Sequence, residues 1–271
     1  MSKAISFFLA VVFLVCVGMP DSPAKASAPE SAFLTGDSTI VEERASFESD
    51  RQAVLERTDL TTEQKARFLA KIDETEKIMN GAPQEQKAMA GALAASSYNI
   101  YNCTMAVPFY KQETRYFCGP ATARQTIAYI KGSALSQSTL ASIMGTTSSN
   151  GTDGSRVVSC INAYQTRYLY QRLYPTSESS MITVAGKAIN NWAAPPILHV
   201  KMTTTTGWKY TSPGHYMNIS GIEKSGSGVM FEVTDPYSTW VLSDVPNGKY
   251  PVSSTVAYNS TRAHPAGEFI C

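Results

Sequence analysis

Four residue types that work together in acyl-transfer chemistry stand in this chain: a thiol, an imidazole, a carboxylate and a primary amide. The thiol is Cys118, within VPFYKQETRYFCGPATARQTIAYI at residues 107–130. It is followed at once by Gly119-Pro120 and then by a run that reads as a helix. The positive end of a helix dipole lowers the pKa of a cysteine at its N-terminus and favours the thiolate. Gly119 permits a tight turn there, and Pro120 suits the first helical position, where its missing N–H costs nothing. Gln112 lies six residues upstream. Its side-chain amide can point at an oxyanion forming beside the sulfur. A lone cysteine before a helix is more often a small buried hydrophobe or half of a disulfide, so the motif needs partners.

The partners come from a second stretch. Residues 214–222 read as a strand, 223–228 as a turn, and 229–234 as another strand that ends in Asp235-Pro236-Tyr237. Two such runs joined by a short Gly-containing turn predict an antiparallel hairpin. Folding it at the turn's centre brings His215 nearly opposite Asp235. The carboxylate would fix the imidazole's tautomer and leave its other nitrogen for a thiol. Each residue alone has a plain structural reading: Asp-Pro starts turns, and His199 and His264 need no catalytic role. Co-location of compatible roles carries the argument. Cys103 is a weaker nucleophile candidate, since no Gly-Pro and no helix start follow it.

The rest of the chain must position these groups. It has 271 residues, 43% hydrophobic and 17% charged, with a net charge of +1. That mix fits one sizeable globular domain with extra segments, and the balance gives no sign of a nucleic-acid partner. Residues 1–28 read as a secretory signal peptide. Lys3 starts it, an apolar run over 5–17 is too short for a comfortable membrane span, and Ala24-Lys25-Ala26 and Ala26-Ser27-Ala28 fit the cleavage pattern. The expectation is a secreted or cell-surface protein with no stable membrane span after cleavage. Secretion makes a disulfide expected among the cysteines other than Cys16. With Cys118 a free nucleophile, one bridge remains open to Cys103, Cys160 and Cys271. A Cys103–Cys271 pair would clamp both ends of the domain, and Cys160 is an alternative partner for either. No Cys/His ligand spacing and no phosphate-binding loop points to a metal or cofactor.

Residues 29–98 read as a helical N-terminal segment that begins with a loose linker. Helices are predicted over 41–57, from the Thr61–Gln64 capping pattern onward to Gly81, and over 84–95. Residues 30–87 hold 13 acidic and 8 basic side chains, and residues from 96 onward hold 8 acidic and 13 basic. Opposite charge on adjacent segments fits an N-terminal piece docked on the domain, either as a propeptide or as a helical spacer. In the domain, residues 99–271, helices are predicted over 120–131, 138–144, 155–164 and 183–192, with strands at 169–174 and 197–202.

The ordered motifs resemble a known family. Val107-Pro108 through Gln112 and Cys118-Gly119-Pro120-Ala121 are similar to the opening of the bacteriocin-leader-type, C-thirty-nine-like cysteine peptidases in their stand-alone secreted branch. Leu140-Ala141, Gly145-Thr146, Gly151-Thr152 and Val157-Val158 match the middle of that pattern. Pro196-Ile197-Leu198, Gly214-His215-Tyr216 and Asp235-Pro236-Tyr237 match its end. The resemblance implies an α+β, papain-like fold, in which a Cys-bearing helix packs on an antiparallel sheet carrying His and Asp. It also implies Cys118 as nucleophile, His215 as general base, Asp235 as orienting group and Gln112 as oxyanion donor. The implied reaction is hydrolysis of a peptide or amide bond in a peptide or protein substrate, through a thioester. The leader-processing members are usually fused to an export ATPase. No Gly-Lys-Ser/Thr loop stands in this sequence, so leader cleavage does not carry over. A cell-wall peptide amidase, an acyltransferase or a non-catalytic adhesion module on the same fold are the rival readings.

Overall fold

A run of local signals, each with its own physical cause, sets the boundaries of the elements that hold the site. The computed structural model describes residues 46–81, 102–226 and 228–271, all within one compact unit, Phe33–Cys271. The expected signal peptide, the linker and the helix over 84–95 lie outside the described residues. Two helices come first, α1 (Phe47–Glu56) and α2 (Thr62–Asn80). Ser46 caps α1 through a reciprocal pair with Ser49. Thr61 caps α2: its hydroxyl accepts from the Gln64 N–H at 3.2 Å, and the Gln64 amide oxygen accepts from the Thr61 N–H at 2.8 Å. This is the capping box read from the sequence.

The domain then runs β1 (Cys103–Thr104), α3 (Cys118–Lys131), α4 (Gln137–Met144), α5 (Gly154–Tyr164), β2 (Arg172–Leu173), α6 (Glu178–Asn190) and β3 (Ile197–Met202). It continues through β4 (Ser212–Ser225), β5 (Gly228–Thr234), the short α7 (Ser238–Val241), β6 (Lys249–Ser253), α8 (Ser254–Ala263) and β7 (Phe269–Ile270). Gly132 and Gly145 end α3 and α4 in the left-handed conformation, at φ 79° and 65°, where glycine carries no Cβ penalty. Ser136, Asp153, Ser177 and Ser253 cap the helices that follow them.

The strands form one antiparallel sheet in the order β2-β7-β3-β4-β5-β6, and β1 pairs the far part of β4. Helices α3, α4 and α5 cover one face around Ala123, Ile127, Leu140, Val157, Ile161, Tyr216 and Ile197. Helices α6 and α8 cover the other around Met181, Val184, Ala257, Leu198, Met217, Ile219 and Val233. A Cys-bearing helix on an antiparallel sheet is the α+β, papain-like arrangement expected. Four elements after residue 237 went unread in the sequence: α7, β6, α8 and β7. Of these, β7 inserts between β2 and β3 and makes the chain end part of the sheet.

The strand expected over 169–174 shrinks to two residues, because β7 offers only two partners there. The helix expected over 183–192 begins earlier, at Glu178, where Ser177 caps it. No disulfide joins the cysteines of the domain. Cys118, Cys160 and Cys271 are free thiols, and the Cys103 thiol donates to Asn190 Oδ1 at 3.4 Å. The separation explains why Cys271 does not bridge to Cys103. Through β7 and β3, Cys271 aligns with the Ile219 level of β4, whereas Cys103 sits opposite Ile222. On β5 those two levels are Val233 and Phe231, about 7 Å apart along the strand, and β7 lies one strand spacing of about 4.8 Å further out than β1; together these exceed the roughly 7 Å of Cα separation that a disulfide spans.

Helices α1 and α2 lie along the β2–α6 side. Val54, Leu60, Phe68 and Ile72 close over Leu169. Lys71 donates to the Leu169 carbonyl and Arg57 to the Asn162 carbonyl. Gln171 donates to Asp50, and Lys187 pairs with Glu74.

Candidate active site

Cys118 is the first residue of α3, with Phe117 as the N-cap and no side-chain cap. The thiol therefore meets the exposed N–H end of a 14-residue helix. The structure corrects two details of the sequence reading. Pro120 occupies the third helical position rather than the first, still within the turn whose N–H groups have no helical acceptor. Gly119 is helical, not a tight turn. Its glycine is needed because a Cβ would lie 2.5 Å from Thr152 Oγ1 and 2.7 Å from Thr152 Cβ. Helix α3 is fastened to β4 by polar side chains. Thr122 donates to the Tyr216 carbonyl at 3.0 Å, Thr126 to Asn218 Oδ1 at 2.7 Å, and Asn218 to Gln125 Oε1 at 2.9 Å. These bonds fix Cys118 beside the strand that carries His215.

His215 and Asp235 meet through a β-bulge. From the turn, β4 and β5 pair Ser225 with Gly228, and so on to Gly221 with Glu232. Continued without a break, that register would put Asp235 opposite Asn218, on the face opposite to His215. The register shifts between Ile219 and Gly221, leaving Ser220 as the extra residue. Val233 then pairs Ile219 and Thr234 pairs Asn218. Asp235 falls opposite Met217 and shares a face with His215, because a one-residue slip turns every side chain over. His215 Nε2 and Asp235 Oδ1 are 2.8 Å apart. The hairpin expected from the sequence is present, but the bulge gives it the right face.

Asp235 is fully buried and its carboxylate is completely engaged. Oδ1 also accepts the Tyr237 N–H at 2.9 Å. Oδ2 accepts the hydroxyls of Tyr210 and Tyr250, each at 2.8 Å. His215 bonds Asp235 through Nε2, so Nδ1 is the nitrogen left for the thiol. The His215 imidazole and the Tyr216 and Gly119 N–H groups all favour the ionised Cys118 sulfur.

The electrostatics follow from these contacts. Burial pushes the Cys118 thiol up, but the His215 hydrogen bond and charge and the two backbone donors outweigh it and hold the thiol below its ordinary value. Burial pushes His215 down, but the Asp235 charge and hydrogen bond, then Cys118, carry it up to about 10. Burial opposes ionisation of Asp235, yet His215, the Tyr237 N–H and Tyr210 hold its carboxyl below the usual range. The consistent state is a thiolate beside an imidazolium. The remaining thiols of the domain behave oppositely: burial raises Cys103, and lifts Cys160 and Cys271 to about 11 each. Cys103 stands on β1 and not at a helix N-terminus, and its thiol donates to Asn190.

Gln112 is buried on the loop before α3. Its backbone N–H donates to the Pro236 carbonyl at 2.9 Å, and its carbonyl accepts the Trp240 indole N–H at 3.0 Å. The loop is thus tied to the segment that follows Asp235. The Gln112 side-chain NH₂ donates to the Thr114 carbonyl at 2.7 Å, and one of its two N–H donors remains. Sequence reasoning missed Tyr210 and Tyr250. They lie 25 and 15 residues from Asp235, and no spacing signal marks them. Trp208 is buried and donates to Ser260 at 2.6 Å. Among the described residues no group of three or more His, Cys, Asp or Glu side chains is placed to hold a metal ion.

Residues 104–262 match the Peptidase_C39 like family. The match spans more than half of the chain, and the chain belongs to that family. A comparison with curated proteins finds no match. Solved structures are also similar, among them the following three. One is the peptidase domain of Streptococcus ComA, a bi-functional ABC transporter involved in a quorum-sensing pathway, at 19% identity and TM-score 0.41, covering 61% of this chain and 96% of that one. Another is a double glycine motif protease from an AMS/PCAT transporter in complex with its leader peptide, at 14% identity and TM-score 0.39, covering 62% and 92%. The third is digestive procathepsin L 3 of Tenebrio molitor larval midgut, at 10% identity and TM-score 0.43, covering 84% and 99%. At these TM-scores the likenesses decide nothing about this chain's chemistry.

Proposed function

We propose that the protein is a cysteine peptidase that hydrolyses peptide bonds through Cys118, His215 and Asp235, and that residues 1–28 direct it out of the cytoplasm. The observation that carries this reading is the convergence on one thiol of a helix N-terminus, an imidazole and two backbone donors, with the imidazole backed by a buried carboxylate at 2.8 Å. Cys118 attacks the scissile carbonyl as thiolate. The new S–C bond forms as the carbonyl oxygen takes the negative charge. The free N–H of Gln112 and the Cys118 backbone N–H stabilise that oxyanion. His215 then gives its proton to the leaving amine, and the C–N bond breaks to leave a thioester. Water, deprotonated by His215, hydrolyses the thioester and frees the sulfur. Asp235 keeps the imidazole turned so that Nδ1 faces the thiol throughout.

The test is digestion of a mixed peptide library, with cleavage read by mass spectrometry. Wild-type protein is expected to cut, and Cys118→Ala to lose cutting entirely. A peptide aldehyde should add its mass to Cys118 in the wild type. Cutting that survives in Cys118→Ala would refute the assignment.

A further inference from the structure

We infer that Tyr210 and Tyr250 are positioning residues of this site, whose hydroxyls clamp the Asp235 carboxylate so that Oδ1 stays aimed at His215. The inference rests on the peptidase reading above, and it starts from the count of donors. An ionised carboxylate has about four lone-pair directions. At Asp235 all are filled: His215 Nε2 and the Tyr237 N–H on Oδ1, and the two tyrosine hydroxyls on Oδ2. With only His215 and one amide on a single oxygen, the carboxylate is free to swing about its Cβ–Cγ bond. Anchoring the second oxygen from two directions removes that freedom.

The two hydroxyls arrive from different elements. Tyr250 sits on β6 opposite Val233, which puts it on the same face as Asp235 and His215. Tyr210 comes from the loop before β4, and its ring stands edge-on to His215 at 6.0 Å and near Tyr237 at 5.7 Å. The rings therefore also wall the His–Asp contact from water. Burial and the Asp235 charge hold both phenols protonated, so they act as donors at any working pH. The charged or titratable groups facing the pair are Cys118 from α3, Tyr210, Tyr237 and Tyr250, with Arg115 acting on Tyr237. None of the others can replace the hydroxyls on Oδ2, since the thiol and Arg115 do not donate to it.

The test measures the rate at which iodoacetamide alkylates Cys118 from pH 4 to 11 in the full-length protein. Wild type, Tyr210→Phe, Tyr250→Phe, the double variant and His215→Ala are compared. Phenylalanine keeps the ring and its packing, so a purely structural role for the tyrosines predicts an unchanged profile. The clamp predicts that the alkaline limb, set by His215, moves down in the double variant by about one pH unit, an amount equal to a tenfold change in its proton equilibrium. Tyr250→Phe alone is expected to move it in the same direction by less, and carries the test if the double variant does not fold. An alkaline limb that stays put or rises overturns the clamp while leaving the peptidase reading intact. A wild-type rate that does not depend on His215 overturns the peptidase reading itself, and the clamp with it.

Discussion

At the scale of single residues the account concerns where one proton sits. The folded site keeps it on His215, whose pKa is raised to about 10, and keeps Cys118 ionised. An unfolded chain reverses this, with cysteine protonated up to about pH 8.5 and histidine neutral above about pH 6.5. Between those values both states hold one proton, so stability is nearly level with pH. Above about pH 8.5 the unfolded chain holds fewer protons than the folded one, and stability falls as pH rises. Cys118→Ala removes the sulfur's share. The stabilisation from His215, now raised by Asp235 alone, is then complete below about pH 6.5 and is lost as pH rises through its folded value, which lies below the wild type's about 10 because the Cys118 share is gone. Thermal unfolding of Cys118→Ala is expected to decline steadily from pH 6.5 to 8.5, where the wild type stays level. A level curve for the variant would mean that Asp235 does not hold His215 charged. Asp235, held below its usual range, contributes above about pH 3.9, and that share disappears only on acidification.

The register between β4 and β5 decides whether these residues meet. Inserting one alanine between Val233 and Thr234 should move Asp235 from opposite Met217 to opposite Tyr216, on the other face from His215. The folded insertion variant, checked by circular dichroism, is expected to alkylate Cys118 about thirtyfold more slowly at pH 7, the thiolate fraction left to an ordinary thiol of pKa about 8.5. A rate near wild type would show that this register does not align the pair. Helix α3 carries a second such constraint. Gly119→Ala drives a Cβ into Thr152, whose near atoms are its own Cβ and hydroxyl rather than a flexible tip. Overpacking of this kind costs about 1–3 kcal/mol, and calorimetry should find a loss in that range. Much of this level is legible in the sequence. Gly132 and Gly145 mark where helices stop, Thr61 and Gln64 mark a start, and the apolar run from Ile197 marks a strand. The bulge is not legible, since Ser220 is one more small residue in a strand and its register depends on partners. The tyrosine clamp is hidden for the same reason: Tyr210 and Tyr250 reach Asp235 only after the sheet has formed. The C-terminal strand β7 escapes because two residues show no period.

For the whole molecule, the question is how the N-terminal helices relate to the domain. Their charge differs in sign from the rest, but the seam with the domain is largely apolar side chains and cations donating to main-chain carbonyls. Phe68 and Ile72 are as deeply buried as any residue of the domain core. Removing a phenylalanine of this kind costs about 3–5 kcal/mol. Phe68→Ala is therefore expected to lower unfolding stability by that amount, while the folded protein alkylates Cys118 within about twofold of wild type. A loss below 1 kcal/mol, on the order of a surface substitution, would show that the helices only rest on the domain. Among the described residues no helix is long and apolar enough to cross a membrane.

The central claim, that Cys118 is a thiolate held by His215, is tested most directly by alkylation. The full-length protein is treated with iodoacetamide at pH 6 without reductant, and the modified cysteine is located by mass spectrometry in wild type and His215→Ala. The account expects rapid labelling at Cys118, with Cys103, Cys160 and Cys271 labelled far more slowly, and a drop at Cys118 of about a hundredfold or more in the variant. Labelling of Cys118 at the rate of an ordinary thiol, or at the same rate in both proteins, would contradict it.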